Sequence, residues 1–202
     1  MTDSGSRAGR EARVFDRQGS RKYLNDAERR TFLRAAEKEP DLSRRAFCLT
    51  LFYTGCRISE ALNLTVERID RTQQCVVFET LKRRKRGEFR AVPVPEGLIT
   101  LLGEIQPERE AARRVWNYSR PTGYRMVKAC MERAGITGGM ASPKGLRHGF
   151  AVACIANNIP LTTIRKWLGH ARLETTAIYL GVSGDEERAL ARRLWESGGT
   201  TL

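Results

Sequence analysis

One of the two histidines in this chain of 202 residues lies close in sequence to a tyrosine. In the stretch "WLGHARLETTAIYLG", which spans residues 167–181, Tyr179 follows His170 by nine positions. A tyrosine hydroxyl can act as a nucleophile when fixed positive charges stabilise the negative charge that develops on the attacked group. Taken alone, each residue also fits a structural role, Tyr179 within a helix and His170 beside the C-terminal end of a helix dipole.

Three further stretches carry basic residues beside turn or helix-start patterns. "TGCRISEAL" places Arg57 just after a glycine turn, and "SPKGLRHGFA" places Lys144 and Arg147 three positions apart on one face of a predicted helix. "ETLKRRKRGEFRAVPVP" has six basic residues between positions 82 and 90 and is typical of a hairpin. Two arginines can each bind a non-bridging phosphate oxygen, and a lysine can protonate a leaving oxygen. These residue types suit metal-free cleavage of a phosphodiester.

The charge of the chain indicates a polyanionic partner. Thirty-six Lys and Arg residues against 23 Asp and Glu residues give a formal net charge of +13. Nucleic acid is the first candidate partner for a protein this basic. A ribosomal-type or merely basic surface is the alternative that charge alone leaves open. Hydrophobic residues make up 41% of the chain, which is enough to form the core of one ordinary domain.

The rest of the composition argues against a metal, a cofactor, a membrane span and secretion. The five cysteines are scattered without a C-x-x-C pair, and two histidines cannot complete a zinc spacing, so we expect reduced core cysteines. No apolar run reaches the ~18–20 residues of a membrane span. The N-terminal sequence lacks the apolar middle of a signal peptide. These patterns predict a cytoplasmic protein, associated with the nucleoid if its partner is DNA.

Apolar periodicity predicts helices around one small antiparallel β-sheet. A capping box at Asn25 and Glu28 begins the first helix, and the apolar run after Pro40 predicts a buried helix that ends at Gly55. "QCVVFETL" and "EFRAVPVP" are strand-like runs that flank the loop "KRRKRG", and "TVERID" can add a short strand. From Pro95 onwards the pattern is helical.

Taken together and in order, these stretches resemble the catalytic domain of the tyrosine recombinases, the phage-integrase family. The resemblance is carried by "TGxRxSExL", "LRHxFA" and "LGHxxxxxTxxY" and covers roughly residues 23–182. It implies the tyrosine recombinase catalytic-domain fold, which is mainly α with a small antiparallel β-sheet. The catalytic residues that it implies are Arg57, Lys82, Lys144, Arg147, His170 and Tyr179.

The resemblance also implies a reaction, a site-specific recombination of DNA. Tyr179 would attack phosphorus and form a 3′-phosphotyrosyl bond with a free 5′-hydroxyl, so that strands are rejoined without a nucleotide cofactor. Arg57 and Arg147 would bind the non-bridging oxygens, and His170 would hydrogen-bond the phosphate. A DNA-relaxing enzyme of the type IB topoisomerase kind and a catalytically silent DNA-binding accessory protein are the alternative functions.

Two roles stay open between residues. Lys144 stands where many family members have histidine, which leaves the acceptor of the tyrosine proton unassigned. Lys82 and Lys85 are both candidates for the general acid, and we prefer Lys82 because it directly follows a predicted strand. His148, next to Arg147, is interpreted as a structural histidine.

The partners that follow are double-stranded DNA with specific recombination sites and further copies of the chain in a tetrameric synapse. We expect residues of the N-terminal arm and of the hairpin to contact DNA. The arm residues are Arg7, Arg10, Arg13 and Arg17, and the hairpin residues are Arg83, Arg84, Lys85, Arg86 and Arg90.

The predicted organisation is one domain between two short segments. Residues 1–22 are expected to form a disordered basic arm, residues 23–182 the catalytic domain and residues 183–202 a C-terminal helix or tail. With so short an arm, the chain resembles single-domain members such as the fimbrial phase-variation invertases, although it could be a catalytic fragment of a longer protein. The tail helix could pack on its own domain or on a neighbouring protomer. Its apolar side carries Leu190, Leu194 and Trp195.

Overall fold

The computed structural model describes residues 14–80, 87–106, 112–181 and 191–193. It confirms the predicted fold class, because helices surround one three-stranded sheet. The helices are α1 Asp26–Glu37, α2 Leu42–Thr54, α3 Ile58–Leu62, α4 Glu96–Glu104, α5 Arg120–Arg133, α6 Pro143–Ala156, α7 Leu161–Leu168 and α8 Glu174–Ala177. The strands are β1 Ile69–Asp70, β2 Cys75–Glu79 and β3 Phe89–Pro93, and the 3₁₀ turns are Val66–Arg68 and Ile178–Gly181.

The first helix begins, and the second helix ends, where the sequence predicts. The Asn25 side chain accepts a hydrogen bond from the Glu28 backbone N–H, and the Glu28 carboxylate accepts one from Asn25, which completes the capping box. Gly55 ends α2 with a φ of 58°, in the left-handed region. A Cβ atom at Gly55 would collide with the ring of Phe150, so this turn needs glycine for both backbone and space.

The sheet is antiparallel in the order β1-β2-β3, as the predicted hairpin requires. Phe78 and Arg90 are direct partners in the β2–β3 pairing. Their side chains therefore lie on the same face of the sheet, and the Arg90 guanidinium carbon is 5.4 Å from the centre of the Phe78 ring. Residues 81–86 of the segment between these strands, including Lys82 and Lys85, lie outside the described residues.

Two apolar clusters form the core. The larger one joins α1 to α5 with the sheet, and the smaller one lies between α6, α7 and the segment that carries Tyr179. Phe150, Ile164 and Leu168 are buried members of the smaller cluster, and Trp167 packs against both clusters. The smaller cluster thus fixes α7 and the segment that carries Tyr179 onto α6.

Part of the segment that was expected to be an arm packs on the domain. Val14 is buried in the smaller cluster, and the Lys22 backbone N–H donates to its carbonyl over 2.8 Å. Residues 14–22, expected to be arm, therefore pack on the domain; residues 1–13 lie outside the described part. At the other end, residues 191–193 are helical, while the rest of the predicted tail helix lies outside it. No helix in the described residues is long and apolar enough to cross a membrane.

Replacing Gly55 with alanine tests the turn that precedes Arg57. We expect Gly55→Ala to lower the free energy of unfolding by roughly 2–5 kcal/mol, since left-handed backbone costs about 1–2 kcal/mol and overpacking about 1–3 kcal/mol. Gly135→Ala is the matched control, because Gly135 has a φ of +70° with open space where the Cβ would lie. It should show only the backbone cost. Urea denaturation measures both, and equal losses would contradict the packing role of Gly55.

Candidate active site

Arg57 lies directly after the Gly55 turn and at the N-terminal cap of α3. Its Nη1 donates to Oε1 of Glu60 over 2.9 Å, and its backbone N–H donates to Oε2 of the same carboxylate over 2.8 Å. The Glu60 side chain is fully buried, whereas the Arg57 side chain is 36% exposed. Glu60 therefore fixes the direction of Arg57 while the guanidinium stays reachable from the surface.

Arg147 lies in α6 and is held by backbone carbonyls rather than by a carboxylate. Its Nη1 donates to the Gly55 carbonyl over 2.8 Å, and its Nη2 donates to the Leu168 carbonyl over 2.7 Å. Nη2 also lies 2.9 Å from Nε2 of His170. These three bonds leave at most two of its five N–H groups for a ligand. Burial, and then the charge of Arg57, lowers the pKa of Arg147 to about 10, so it is still a cation at neutral pH.

His170 follows the left-handed residue Gly169 that ends α7. Its backbone N–H donates to the Arg165 carbonyl over 3.1 Å, which is the long bond of a Schellman motif. Nη2 of Arg147 can only donate, so Nε2 of His170 accepts from it. Nδ1 then carries the proton and donates to Oγ1 of Thr176, 3.0 Å away. The contacts therefore select one tautomer of the ring.

Tyr179 is buried, with 1% of its surface exposed. Its hydroxyl lies 2.7 Å from Nδ1 of His148, and its ring is nearly parallel to that of His170 with 6.5 Å between the centroids. Burial raises the pKa of Tyr179 to about 12, and the charges of Arg147 and Arg57 oppose that rise. The phenol therefore stays protonated at neutral pH.

Four of the six predicted catalytic residues converge in this region. Arg147 contacts His170, the ring of His170 stacks on Tyr179, and Arg57 is close enough to lower the pKa of both Arg147 and Tyr179. Two cations, an imidazole and a phenol thus meet at the junction of α3, α6 and the end of α7. This combination suits attack of a hydroxyl on a phosphate.

Comparison with known proteins agrees with this geometry. Residues 22–185 match the family model described as "Phage integrase family". This chain belongs to the phage integrase family. The tyrosine recombinase XerA of Pyrococcus furiosus is 30% identical over 182 residues, which cover 85% of this chain and 61% of the relative. The tyrosine recombinase XerD of Mycobacterium tuberculosis is 34% identical over 152 residues, which cover 68% of this chain and 47% of the relative.

Solved structures place this phage integrase chain in the same fold. The crystal structure of XerA recombinase matches with a TM-score of 0.71 and 25% identity, covering 89% of this chain and 66% of that one. The catalytic domain of bacteriophage HP1 integrase matches with a TM-score of 0.58 and 22% identity, covering 89% and 98%. The predicted family and fold are confirmed, and the likeness to fimbrial invertases stays a prediction. The chain spans about half to two thirds of the curated relatives that it matches.

His148 is the contact that the sequence interpretation did not assign to the site. It was expected to be structural, yet Nδ1 touches the hydroxyl of Tyr179, and Nε2 is buried without a hydrogen-bond partner in the described part of the chain. Burial, followed by the charges of Lys144, Arg147 and Lys22, lowers the pKa of His148 to about 4. The imidazole is therefore neutral at neutral pH. Its only sequence signal is its position directly after Arg147.

Of the two predicted catalytic lysines, the structure describes Lys144 but not Lys82. Lys144 is exposed in the first turn of α6, and it reaches the site through its effect on the pKa of His148. The five predicted residues of the hairpin loop lie outside the described part of this phage integrase chain. They are Lys82, Arg83, Arg84, Lys85 and Arg86.

The prediction that Arg90 contacts DNA stays a prediction, but the structure buries most of its side chain. Arg90 is only 5% exposed, and its guanidinium forms an ion pair of 2.6 Å with the buried Glu60. The physical reason is strand alternation, because Arg90 pairs with Phe78 on the inner face whereas Phe89 points outwards and is 54% exposed.

Basic residues other than Arg90 are exposed beside the site. A cleft of about 880 Å³ opens beside His170, between the hairpin and the end of α7. The exposed cations in its wall come from "IRKWLGHAR", a stretch whose charge the sequence interpretation passed over. They are Arg165, Lys166 and Arg172.

The low pKa of His148 predicts an acid-dependent loss of stability. Between its usual value near 6.5 and about 4, the unfolded chain binds a proton at His148 that the folded chain does not. The stability that this difference contributes is complete above pH 6.5 and is lost as the pH falls towards 4. From pH 7 to 4, the native chain should therefore lose on the order of 3 kcal/mol more than His148→Gln.

Urea denaturation of both proteins at a series of pH values measures this difference. The comparison cancels the titration of the carboxylates, which the two proteins share. Parallel stability curves would contradict a neutral, buried His148.

Proposed function

We propose that this chain is the catalytic part of a site-specific DNA recombinase that works through a 3′-phosphotyrosyl intermediate. The observation that carries the proposal is the meeting of Arg57 and Arg147 with His170 and Tyr179. The names of its relatives support it, since XerA and XerD are called tyrosine recombinases. XerH, a structural neighbour at 21% identity, is described as a site-specific recombinase bound to its difH substrate.

In the proposed reaction, Oη of Tyr179 attacks the scissile phosphorus. The new O–P bond forms as the bond from phosphorus to the 5′ oxygen breaks. The phenol proton passes to a base, and a lysine of the hairpin gives a proton to the 5′ oxygen. Arg57 and the free N–H groups of Arg147 bind the non-bridging oxygens as charge builds on them. Rejoining reverses these steps with a 5′-hydroxyl of another strand.

His148 and Lys144 are the two candidate acceptors of the tyrosine proton, and they suit that role to different degrees. His148 is neutral at neutral pH and lies 2.7 Å from the phenol oxygen, within reach of its proton. Lys144 is exposed, and an ammonium must first lose a proton before it can accept one. The geometry therefore favours His148 for the tyrosine proton.

DNA must change the surroundings of Tyr179 before this reaction can start. In-line attack needs the phosphorus about 3–3.5 Å from Oη, whereas Tyr179 is 1% exposed. The segment that carries it is short, a four-residue α8 followed by a 3₁₀ turn. We expect this segment to move when a phosphate occupies the site between Arg57 and Arg147.

The proposed partners are double-stranded DNA with specific recombination sites and other copies of the chain in a tetrameric synapse, in the cytoplasm at the nucleoid. DNA would follow the cleft beside His170. The contacts expected there are Arg165, Lys166 and Arg172, together with the basic hairpin loop.

Covalent trapping tests the nucleophile. When the protein cleaves a nicked suicide substrate, the short fragment that carries the new 5′-hydroxyl diffuses away, so the strand cannot be rejoined. The cleaved strand then stays attached to the protein and is seen on a denaturing gel. Tyr179→Phe should bind DNA and give no adduct, because it lacks only the attacking oxygen. Tyr124→Phe, which changes a 46% exposed tyrosine of α5, should give a normal adduct. An adduct that persists in Tyr179→Phe would disprove the assignment, and inhibition by EDTA would contradict a metal-free reaction.

A substrate with sulfur at the bridging 5′ position distinguishes the two candidate lysines. A thiolate leaves without a proton, so the variant that lacks the general acid should be rescued on this substrate alone. We expect Lys82→Ala to lose about 10²–10⁴-fold in rate on ordinary DNA and to recover most of it with sulfur. Lys85→Ala should be moderately slow on both substrates. Rescue of Lys85→Ala instead would assign the proton to Lys85.

A further inference from the structure

Arg90 uses one guanidinium to join three parts of the site. Nη2 donates to Oε2 of Glu60 over 2.6 Å and Nη1 lies 3.3 Å from Oε1, so the carboxylate is held at both oxygens. Nε donates to the Trp167 carbonyl in the last turn of α7 over 2.7 Å. Nη1 also donates to Oγ1 of Thr80, at the end of β2, over 3.3 Å. Only a planar fork of donors can reach a carboxylate, a carbonyl and a hydroxyl together.

The contact with Glu60 connects Arg90 to Arg57. Glu60 is buried and binds both arginines. Burial by itself would raise the pKa of Glu60, but the charge and hydrogen bonds of Arg90, and then Arg57, keep it below its usual value. Glu60 therefore stays a carboxylate, which is the form that fixes the direction of Arg57.

The contact with α7 connects Arg90 to His170. A Cβ atom on Gly169 would lie 2.9 Å from Nη1 of Arg90 and 3.0 Å from its guanidinium carbon. The guanidinium thus lies directly against the backbone of the residue before His170. Arg147 binds the next carbonyl, that of Leu168, so the two arginines hold adjacent positions at the end of this helix.

We propose that Arg90 is a positioning residue that sets Arg57, through Glu60, and His170, through the end of α7, at the distance that a phosphate requires. This role rests on the proposed function and differs from a DNA contact, since Arg90 is buried. It also fixes Thr80, two positions before Lys82, and so the point from which the hairpin loop departs.

The alternative is that Arg90 only stabilises the fold. A loss of stability on mutation cannot distinguish this role from positioning, because both predict it. Removal of one partner from a buried ion pair often costs about 3–5 kcal/mol, so Arg90→Met would combine both effects. Two milder changes avoid this difficulty. Arg90→Lys keeps the charge but loses the fork, and Glu60→Gln with Arg90→Gln removes both charges together and leaves a hydrogen-bonding amide at each position.

The decisive measurement compares two substrates at saturating protein. One has an ordinary scissile phosphate, and the other has a methylphosphonate, in which a methyl group replaces a non-bridging oxygen and removes its charge. An arginine that is displaced from the phosphate slows cleavage less on the neutral substrate, because that substrate has less negative charge for the arginine to stabilise. The ratio of the methylphosphonate rate to the phosphate rate should therefore rise roughly tenfold in Arg57→Ala, and in the same direction in Arg90→Lys and in the double glutamine variant.

Arg133→Met is the matched control. It breaks an ion pair of the same 2.6 Å length, with Glu39, away from the site. It should lower the melting temperature and leave the substrate ratio unchanged. A folded Arg90→Lys or double glutamine variant with the native ratio would overturn the positioning role. No covalent product from the native chain on either substrate would overturn the proposed function, and this inference with it.

Discussion

Three guanidinium groups share one buried carboxylate in this site, and much of the local geometry follows from that imbalance. Arg57, Arg90 and Arg147 all act on the charge of Glu60, which binds the first two directly. Backbone carbonyls accept further hydrogen bonds from Arg90 and Arg147, and they supply partial negative charge without neutralising a cation. The surplus of positive charge is therefore held in place before any ligand arrives, and an anion can neutralise it without large rearrangement of the arginines.

The carbonyls are available because two helices end at the site. The last turn of a helix leaves carbonyl groups without partners inside the helix, and its dipole favours cations there. α7 ends at Gly169 in the left-handed region, and the carbonyls of Trp167 and Leu168 each receive an arginine. α2 ends in the same way at Gly55, whose own carbonyl receives Arg147. Gly55 and Gly169 thus end the two helices where their carbonyl groups can accept hydrogen bonds from Arg90 and Arg147.

Local patterns predicted the parts of the fold that local physics decides. The capping box at Asn25 and the end of α2 at Gly55 depend on residues adjacent in sequence, and both were predicted. The burial of Arg90 was not predicted, because alternation along a strand does not say which face is inside; the pairing with Phe78 decides it. The contact of His148 with a tyrosine 31 positions away needs the tertiary fold. Residues from Val14 onwards looked disordered because too few of them are apolar to show a pattern.

If the proposed function is correct, the burial of Tyr179 against His148 has a thermodynamic consequence for the choice of DNA sequence. Moving an aromatic ring of this size out of the smaller cluster costs roughly 2 kcal/mol of lost burial. In the proposed reaction, only the binding free energy of the DNA can supply that amount. A DNA sequence that fits poorly then loses cleavage in two ways: it binds more weakly, and it supplies less free energy to expose the phenol of Tyr179. Such coupling would raise the fidelity of strand cleavage above the selectivity of binding, and it would protect unrelated DNA from nicking by the free protein.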